Sequence, residues 1–500
     1  MSLPATGMPP ESVLAALEAL RVDDPPVHGG RVLAYVYDAD VDGLADVGRR
    51  ALAAFGEVNG LDPTVFRSVA RIENDLVGWG LDLLGGDEAA CGLVSSGGTE
   101  SCILAVLAAR EEWRRRGGAG QPSVVLPVTA HPAFAKAAHL LGLRVRRVRV
   151  DPATCRVAAR DVESALADEG ASAALVVVSA PSYAHGVVDP VAEVAAVAQE
   201  RGVPCHVDAC IGGLVLPYVR RQGRSVPDFD LSVPGVRSLS ADLHKYGFSP
   251  KGASLLLFSD VDYRLGTYFA YSDWPGYPVV NSTLQSTRSA GPMASAWAVL
   301  HALGDEGLAD AVRRCVAATD RIVAAVAAIP GLRVAAEPDS TLIALAADHG
   351  AEAVDPFVLA DRMRDRGWVI QPQPAYAGLP RTAHLTVQPA SLATVDAFVA
   401  DLAAAAAVSR VEVSADPGLV ELAGQDLEPD AEERVDDAVL AALEVVVDAH
   451  GRHARLGRDP SDGERLRPLG LEQAEGGPDD GVLDLVRRRA LPGVAHHGGI

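Results

Sequence analysis

Lysine is almost missing from this 500-residue chain: of 44 basic residues, only Lys136, Lys245 and Lys251 are lysine. Arginine has taken its place wherever charge alone matters. The three survivors are therefore candidates for positions where a guanidinium cannot serve. An imine with an aldehyde is one such demand, because it needs a primary amine able to lose its proton. Aromatic residues are also sparse, at 5%. The six cysteines (Cys91, Cys102, Cys155, Cys205, Cys210, Cys315) are scattered and lack metal-ligand spacing. Reduced thiols in a cytoplasmic protein explain them best, and no metal is expected. Residues 1–10 have neither a basic segment nor an apolar core, so no signal peptide is expected. No stretch approaches about 18–20 uninterrupted apolar residues, so no membrane span is expected either. The formal net charge of −22 disfavours nucleic acid or an anionic membrane as the main partner.

What is present is a large apolar fraction, 49%, in a chain too long for a single core. Residues 1–60 read as a helical lead-in, broken by Pro25-Pro26 and Gly29-Gly30 before a strand-like run at 32–37. An amphipathic helix is expected over 62–85, where Val65, Val69, Ile72, Leu76 and Trp79 recur at helical spacing. From there short apolar strands (123–128, 144–150, 175–179, 204–208, 238–241, 254–258) alternate with helices. This predicts an α/β large domain at 61–304, with a mostly parallel central sheet and helices on both faces. A smaller C-terminal α/β domain is expected at 305–452, including a helix at 430–450. Residues 453–500 lack periodicity and read as a disordered tail.

Four sites in the large domain fit one cofactor. Ser96, Gly97, Gly98 and Thr99 form a Gly turn between a strand and a helix, where free backbone N–H groups and the helix dipole favour a phosphate. Asp208 ends a strand, where ligands of parallel sheets sit. Its carboxylate can pair with the protonated ring nitrogen of pyridoxal 5'-phosphate and keep the ring electron-accepting. Lys245 lies in a loop between strands beside His244. A buried lysine is costly unless its charge is suppressed or consumed, and a Schiff base consumes it. Ser240 and His244 could hold the phosphate from this side, and His131, just after a strand, could stack on the ring. Each feature alone has an ordinary structural reading; their order along the chain makes a demanding joint pattern.

At this point the residues resemble a family. Val94-Ser-Ser-Gly-Gly-Thr-Glu-Ser101, His206-Val-Asp-Ala-Cys-Ile-Gly-Gly213 and Ser238-Leu-Ser-Ala-Asp-Leu-His-Lys-Tyr-Gly-Phe-Ser-Pro-Lys-Gly252 are similar to motifs of the sphingosine-1-phosphate lyases. These belong to the group II pyridoxal-phosphate-dependent decarboxylase superfamily of fold type I. The resemblance implies a homodimer with its active site at the interface. It assigns Lys245 the Schiff base, Asp208 the ring nitrogen and His131 the stacking face. Ser96, Gly97, Gly98, Thr99, Ser240 and His244 would line the phosphate, and Tyr37, Lys251 and Arg288 would lie near the substrate. Tyr37 and Lys251 are the candidates for proton transfer. The implied reaction is retro-aldol cleavage of a β-hydroxy amine, with amino-acid decarboxylation as the alternative if Arg288 faces a carboxylate. Asp62 stands where the lyases carry histidine, and a carboxylate facing the site there would repel a phosphate.

Overall fold

A computed structural model describes residues 3–62, 64–349 and 353–409. The helix expected at 430–450 and the tail expected at 453–500 lie outside the described residues. Seven strands form the main sheet: β1 (Cys91–Ser95), β2 (Ser123–Pro127), β3 (Arg144–Val148), β4 (Ala173–Ser179), β5 (Cys205–Asp208), β6 (Val236–Ala241) and β7 (Ser254–Phe258), in the order β1-β7-β6-β5-β4-β2-β3. The ladders from β3 through β6 are parallel, and β7 runs antiparallel between β6 and β1. Every residue of β4, Ala-Ala-Leu-Val-Val-Val-Ser, is buried, as helices on both faces require. At the edge, β3 carries Arg144, Arg146 and Arg147. Arg144 and Arg146 pair with Glu169 and Asp168 at 2.8 Å each, which blunts an otherwise exposed edge.

The carboxyl ends of β1, β2, β4, β5 and β6 all open toward one side. Each is followed by a segment that the sequence marked or that lines the site. The helix Gly98–Arg115 starts directly after β1, with Glu100 in its first turn and Arg114 and Arg115 in its last, the polarity its dipole favours.

A four-stranded antiparallel sheet follows, made of β10 (Leu332–Val334), β11 (Leu342–Ala347), β12 (Gln371–Gln373) and β13 (Thr382–Thr386), in the order β10-β11-β13-β12. A two-stranded ribbon of β8 (Phe269–Tyr271) and β9 (Val279–Asn281) precedes it in the chain. Neither the ribbon nor β12 was expected; a proline at the centre of β12 hides an edge strand. The long helix Gly291–Val326 carries a break at Gly304, whose φ is 65°.

Two expectations are corrected. The helix expected from residue 62 begins at Arg67, because Asp62 Oδ1 accepts the Thr64 N–H (2.9 Å) and hydroxyl (2.6 Å) and holds a turn. The strand-like run at 32–37 forms only one bridge, Val32 to Val369. It is pinned instead by long-range bonds: Gln388 Nε2 donates to Val32 O (2.8 Å), and Asp38 N donates to Gln388 Oε1 (2.6 Å).

Among the described residues one helix, Ser391–Val408, is long and apolar enough to cross a membrane. It carries Asp396 and Asp401, which pair with Arg321 and with Trp368 Nε1, and it buries Val395, Phe398 and Leu402 in the core of the smaller sheet. Those contacts are what a core helix makes.

Candidate active site

The strand ends and the smaller sheet enclose a cavity of about 1110 Å³. Its wall includes Ser96, Gly97, Gly98, Thr99, His131, Asp208, His244, Lys245, Tyr37 and Lys251. Ten of the twelve residues singled out in the sequence therefore meet at one place; Ser240 and Arg288 do not.

Lys245 Nζ lies 2.9 Å from Asp242 Oδ2, and the Asp242 side chain is 1% exposed. Burial by itself would lower the Lys245 pKa. The carboxylate of Asp242, then Cys210, Tyr37 and Asp208, hold it well above the ordinary lysine range. Burial would likewise raise Asp242, but Lys245 and His244 keep it below the usual carboxylate value. The cofactor-free site thus stores its amine as an ammonium paired to a buried carboxylate.

Asp208 ends β5 and is buried. Its Oδ1 accepts from Cys210 N (3.1 Å) and Ser240 Oγ (3.5 Å), which leaves Oδ2 to the cavity. Ser240 stands opposite Asp208 in the β5–β6 register. It is fully buried and also meets Cys210 Sγ (3.3 Å) and His206 Nε2 (3.4 Å). The expectation that Ser240 touches a phosphate is corrected: register turns its hydroxyl onto Asp208.

His131 follows β2, and its Nδ1 accepts the Ala133 N–H (3.2 Å), which fixes the ring at the start of the helix Ala133–Leu141. Burial lowers its pKa, against the pull of Asp208. His244 Nδ1 accepts the Ala253 N–H (3.3 Å), and burial lowers this histidine too. At the Gly turn a Cβ on Gly98 would come within 2.9 Å of the Asp242 carboxylate and Cys210 Sγ, and one on Gly97 within 3.2 Å of the His244 ring. Only glycine leaves this cradle open. Glu100 braces it from behind, accepting Ser96 N (2.6 Å) and Leu284 N (2.7 Å).

Tyr37 and Lys251 face each other, with Lys251 Nζ 4.6 Å from the Tyr37 ring centroid and 3.1 Å from His244 O. Tyr37 packs edge-on against Tyr246, whose hydroxyl bonds Val387 O (2.8 Å) and Thr341 Oγ1 (2.6 Å). Burial raises the Tyr37 phenol far above its usual value. Burial, then the Lys245 charge, pushes Lys251 down to about 8.

Arg288 is held away from the cavity: it donates to Val94 O and pairs with Glu73 at 3.3 Å. The expected substrate contact by Arg288 is thereby corrected, since its charge is spent on a carboxylate behind β1. Asp62 does not line the cavity either, so the position where the lyases carry histidine puts no carboxylate in its wall.

Several wall residues went unread in the sequence. Asp242, three residues before Lys245, had a local signal as a countercharge. Tyr183 follows β4 and could have been found by the strand-end rule; its hydroxyl bonds Gln371 Oε1 (2.6 Å), and burial pushes it up to about 12. His185 leaves Nδ1 buried without a partner, and burial lowers its pKa to about 4. Gln371 and Gln373 arrive from β12, which no local pattern announces.

These residues fit pyridoxal phosphate. They provide an open glycine cradle at a helix start, a carboxylate with one free oxygen, a flat imidazole and a primary amine, all on one cavity.

Comparison with known proteins agrees with the geometry. Residues 67–347 match the family described as the pyridoxal-dependent decarboxylase conserved domain. A sphingosine-1-phosphate lyase from Arabidopsis thaliana is 34% identical over 389 residues, 77% of this chain and 69% of that protein. The solved sphingosine-1-phosphate lyase of Burkholderia pseudomallei superposes with a TM-score of 0.78 at 33% identity, covering 90% of this chain and 97% of that one. Glutamate decarboxylase from Lactobacillus brevis, at 19% identity and a TM-score of 0.71 over 81% of this chain and 94% of that one, shares the fold type I architecture.

Proposed function

The chain belongs to the pyridoxal-dependent decarboxylase family and, within it, groups with the sphingosine-1-phosphate lyases; from this premise we propose that it is a pyridoxal-phosphate-dependent carbon–carbon lyase that splits a sphingoid base phosphate or a similar phosphorylated β-hydroxy amine by retro-aldol chemistry. The observation that carries the choice of reaction is the likeness to lyases at 33–34% identity over 77–90% of this chain, against 19% for the glutamate decarboxylase that shares its fold, and the charge in the cavity wall agrees. Among the described residues its basic side chains are Lys245, Lys251 and three histidines, with no arginine. An amino-acid decarboxylase must grip an α-carboxylate, for which the guanidinium fork is best suited. The one arginine considered for that task, Arg288, is engaged by Glu73.

Lys245, Asp208, His131 and the Gly97-Gly98 cradle are the residues that would hold the cofactor. When bound, pyridoxal phosphate supplies an electron-accepting ring for the pair left when the substrate bond breaks. The chain's own residues do the rest. Lys251 Nζ, with its pKa near 8, is neutral in a useful fraction of molecules at neutral pH, so it can take the substrate hydroxyl proton. Tyr37 stays protonated and acts only as a hydrogen-bond donor, to the developing aldehyde oxygen or to the substrate phosphate. The apolar parts of the wall, including Val128, Ile211, Pro374 and Leu379, exclude water from the reacting atoms.

The same reading makes the enzyme a cytoplasmic homodimer. All six cysteines are free, which suits a reducing compartment. The β8–β9 ribbon exposes Phe269, Tyr271, Trp274 and Tyr277, and the loop after it reaches Glu100 in the cavity wall. A second copy over that ribbon would cover the aromatics and bound the site. The test of the reaction is product analysis with a phosphorylated sphingoid base. Release of a long-chain aldehyde and phosphoethanolamine supports the lyase; carbon dioxide from an amino-acid panel, with no aldehyde, would establish decarboxylation instead.

A further inference from the structure

Cys102 and Cys210 lie 108 positions apart, but the fold closes that gap. One thiol projects from the helix Gly98–Arg115, the other from the turn after β5, and with Asp208 their ligand atoms all lie within 4.8 Å of one another. All three residues are buried and all three line the cavity. The cofactor chemistry assigns Asp208 a task but gives none to the pair of thiols.

We propose that Cys102, Cys210 and Asp208 form a binding site for one thiophilic divalent cation, Zn²⁺ in character, that is available only while the cofactor is absent. Thiolate and carboxylate are both ligands that such a cation accepts, and three protein ligands leave its fourth position open. Tetrahedral coordination with metal–sulfur bonds of about 2.3 Å sets sulfur–sulfur separations of about 3.8 Å, so atoms within 4.8 Å of one another can reach it by a contraction of at most about 1 Å. Binding releases the two thiol protons, so the site carries two thiolates and one carboxylate against the dication, a net single negative charge. The Lys245–Asp242 pair beside Cys210 is neutral as a whole, so the site keeps that single charge.

The exclusion follows from Asp208. A carboxylate that neutralises a dication is no longer the anion that the ring N–H of the cofactor needs, so metal and cofactor compete for Asp208, given the function proposed above. Metal held there would block cofactor loading, while the loaded enzyme would be indifferent to metal.

The experiment uses untagged full-length protein, freed of cofactor with an amino-oxy reagent and kept reduced with a phosphine, and titrates it with Co²⁺. Expected are the visible bands of tetrahedral cobalt with thiolate-to-metal charge transfer, saturating at one equivalent per chain. They should be lost in Cys102→Ser and Cys210→Ser, and absent from protein loaded with pyridoxal phosphate before the titration. No thiolate–cobalt spectrum, a spectrum that survives Cys102→Ser, or one unchanged by prior loading would each overturn the proposal. Cofactor uptake by Cys102→Ser shows that the variant is folded. A protein that takes up no cofactor at all would sink the function instead, and the Co²⁺ titration of the free protein would still decide the metal site.

Discussion

Removing the Lys245 charge should unsettle the cofactor-free protein far more than a single side chain usually does, and removing Asp242 with it should undo most of the damage. In Lys245→Met the Asp242 carboxylate, 1% exposed, loses the ammonium 2.9 Å away. Two unit charges at that distance attract by roughly 6 kcal/mol at an effective dielectric of about 20. Deleting one partner of a buried pair typically costs about 3–5 kcal/mol. A unit of roughly 400 residues unfolds with an entropy near 0.9 kcal/mol/K, so the expected fall in melting temperature is about 3–6 °C. Lys245→Met with Asp242→Asn removes both charges of the pair and should recover more than half of it. The pH arm follows from linkage. In the wild type Asp242 is held below its unfolded value, so its contribution is present above that value and is lost as the pH falls through the folded pKa. In Lys245→Met burial, the largest influence on Asp242, is opposed only by His244 and Ser254 and raises the carboxyl. The gap between variant and wild type should therefore narrow as pH is lowered from about 7 to about 5. Calorimetry of the three cofactor-free proteins measures all of this. A single variant as stable as the wild type, or a double variant no better than the single, would refute the pairing.

Other outcomes are equally specific. If Lys251 is the base, activity should rise with pH through about 8 as its neutral form accumulates. Lys251→Arg, which cannot lose its proton, should abolish that limb and lower kcat by about 10²–10⁴-fold; an unchanged pH profile would remove Lys251 from proton transfer. Gly98→Ala drives a methyl against the Asp242 carboxylate and Cys210 Sγ, at a cost of about 1–3 kcal/mol in stability and a weaker hold on the cofactor, read by melting and by equilibrium dialysis. Arg288→Met should lower stability, because Glu73 loses its ion pair and keeps the bond from Val94 N while Val94 O loses a donor, and the KM of folded enzyme changes less than about threefold. A large rise in KM would put Arg288 back at the substrate.

How much of this was legible in the chain depends on the range over which each residue is fixed. Ser96–Thr99, His131, Asp208 and Lys245 sit at strand ends, and strand ends are visible as apolar runs meeting polar turns, so local pattern sufficed. Ser240 misled because it lies in the same motif as Lys245; only the pairing of β6 with β5 shows that its hydroxyl meets Asp208. Arg288 misled because its partner, Glu73, is 215 positions away. Tyr37 was named through resemblance, but what places it is the anchoring of residues 32–38 by Gln388 across 350 positions, beyond any periodicity. The cysteines lacked ligand spacing along the chain, and the fold nevertheless brings two of them together beside Asp208.

The central claim, that one amine among three lysines carries the cofactor, is tested most directly by reducing the loaded enzyme with borohydride and locating the pyridoxyl group by peptide mass spectrometry. Lys245 should be the single modified residue, with Lys136 and Lys251 untouched. A label on Lys251, or a loaded enzyme in which Lys245 stays unmodified, would contradict it.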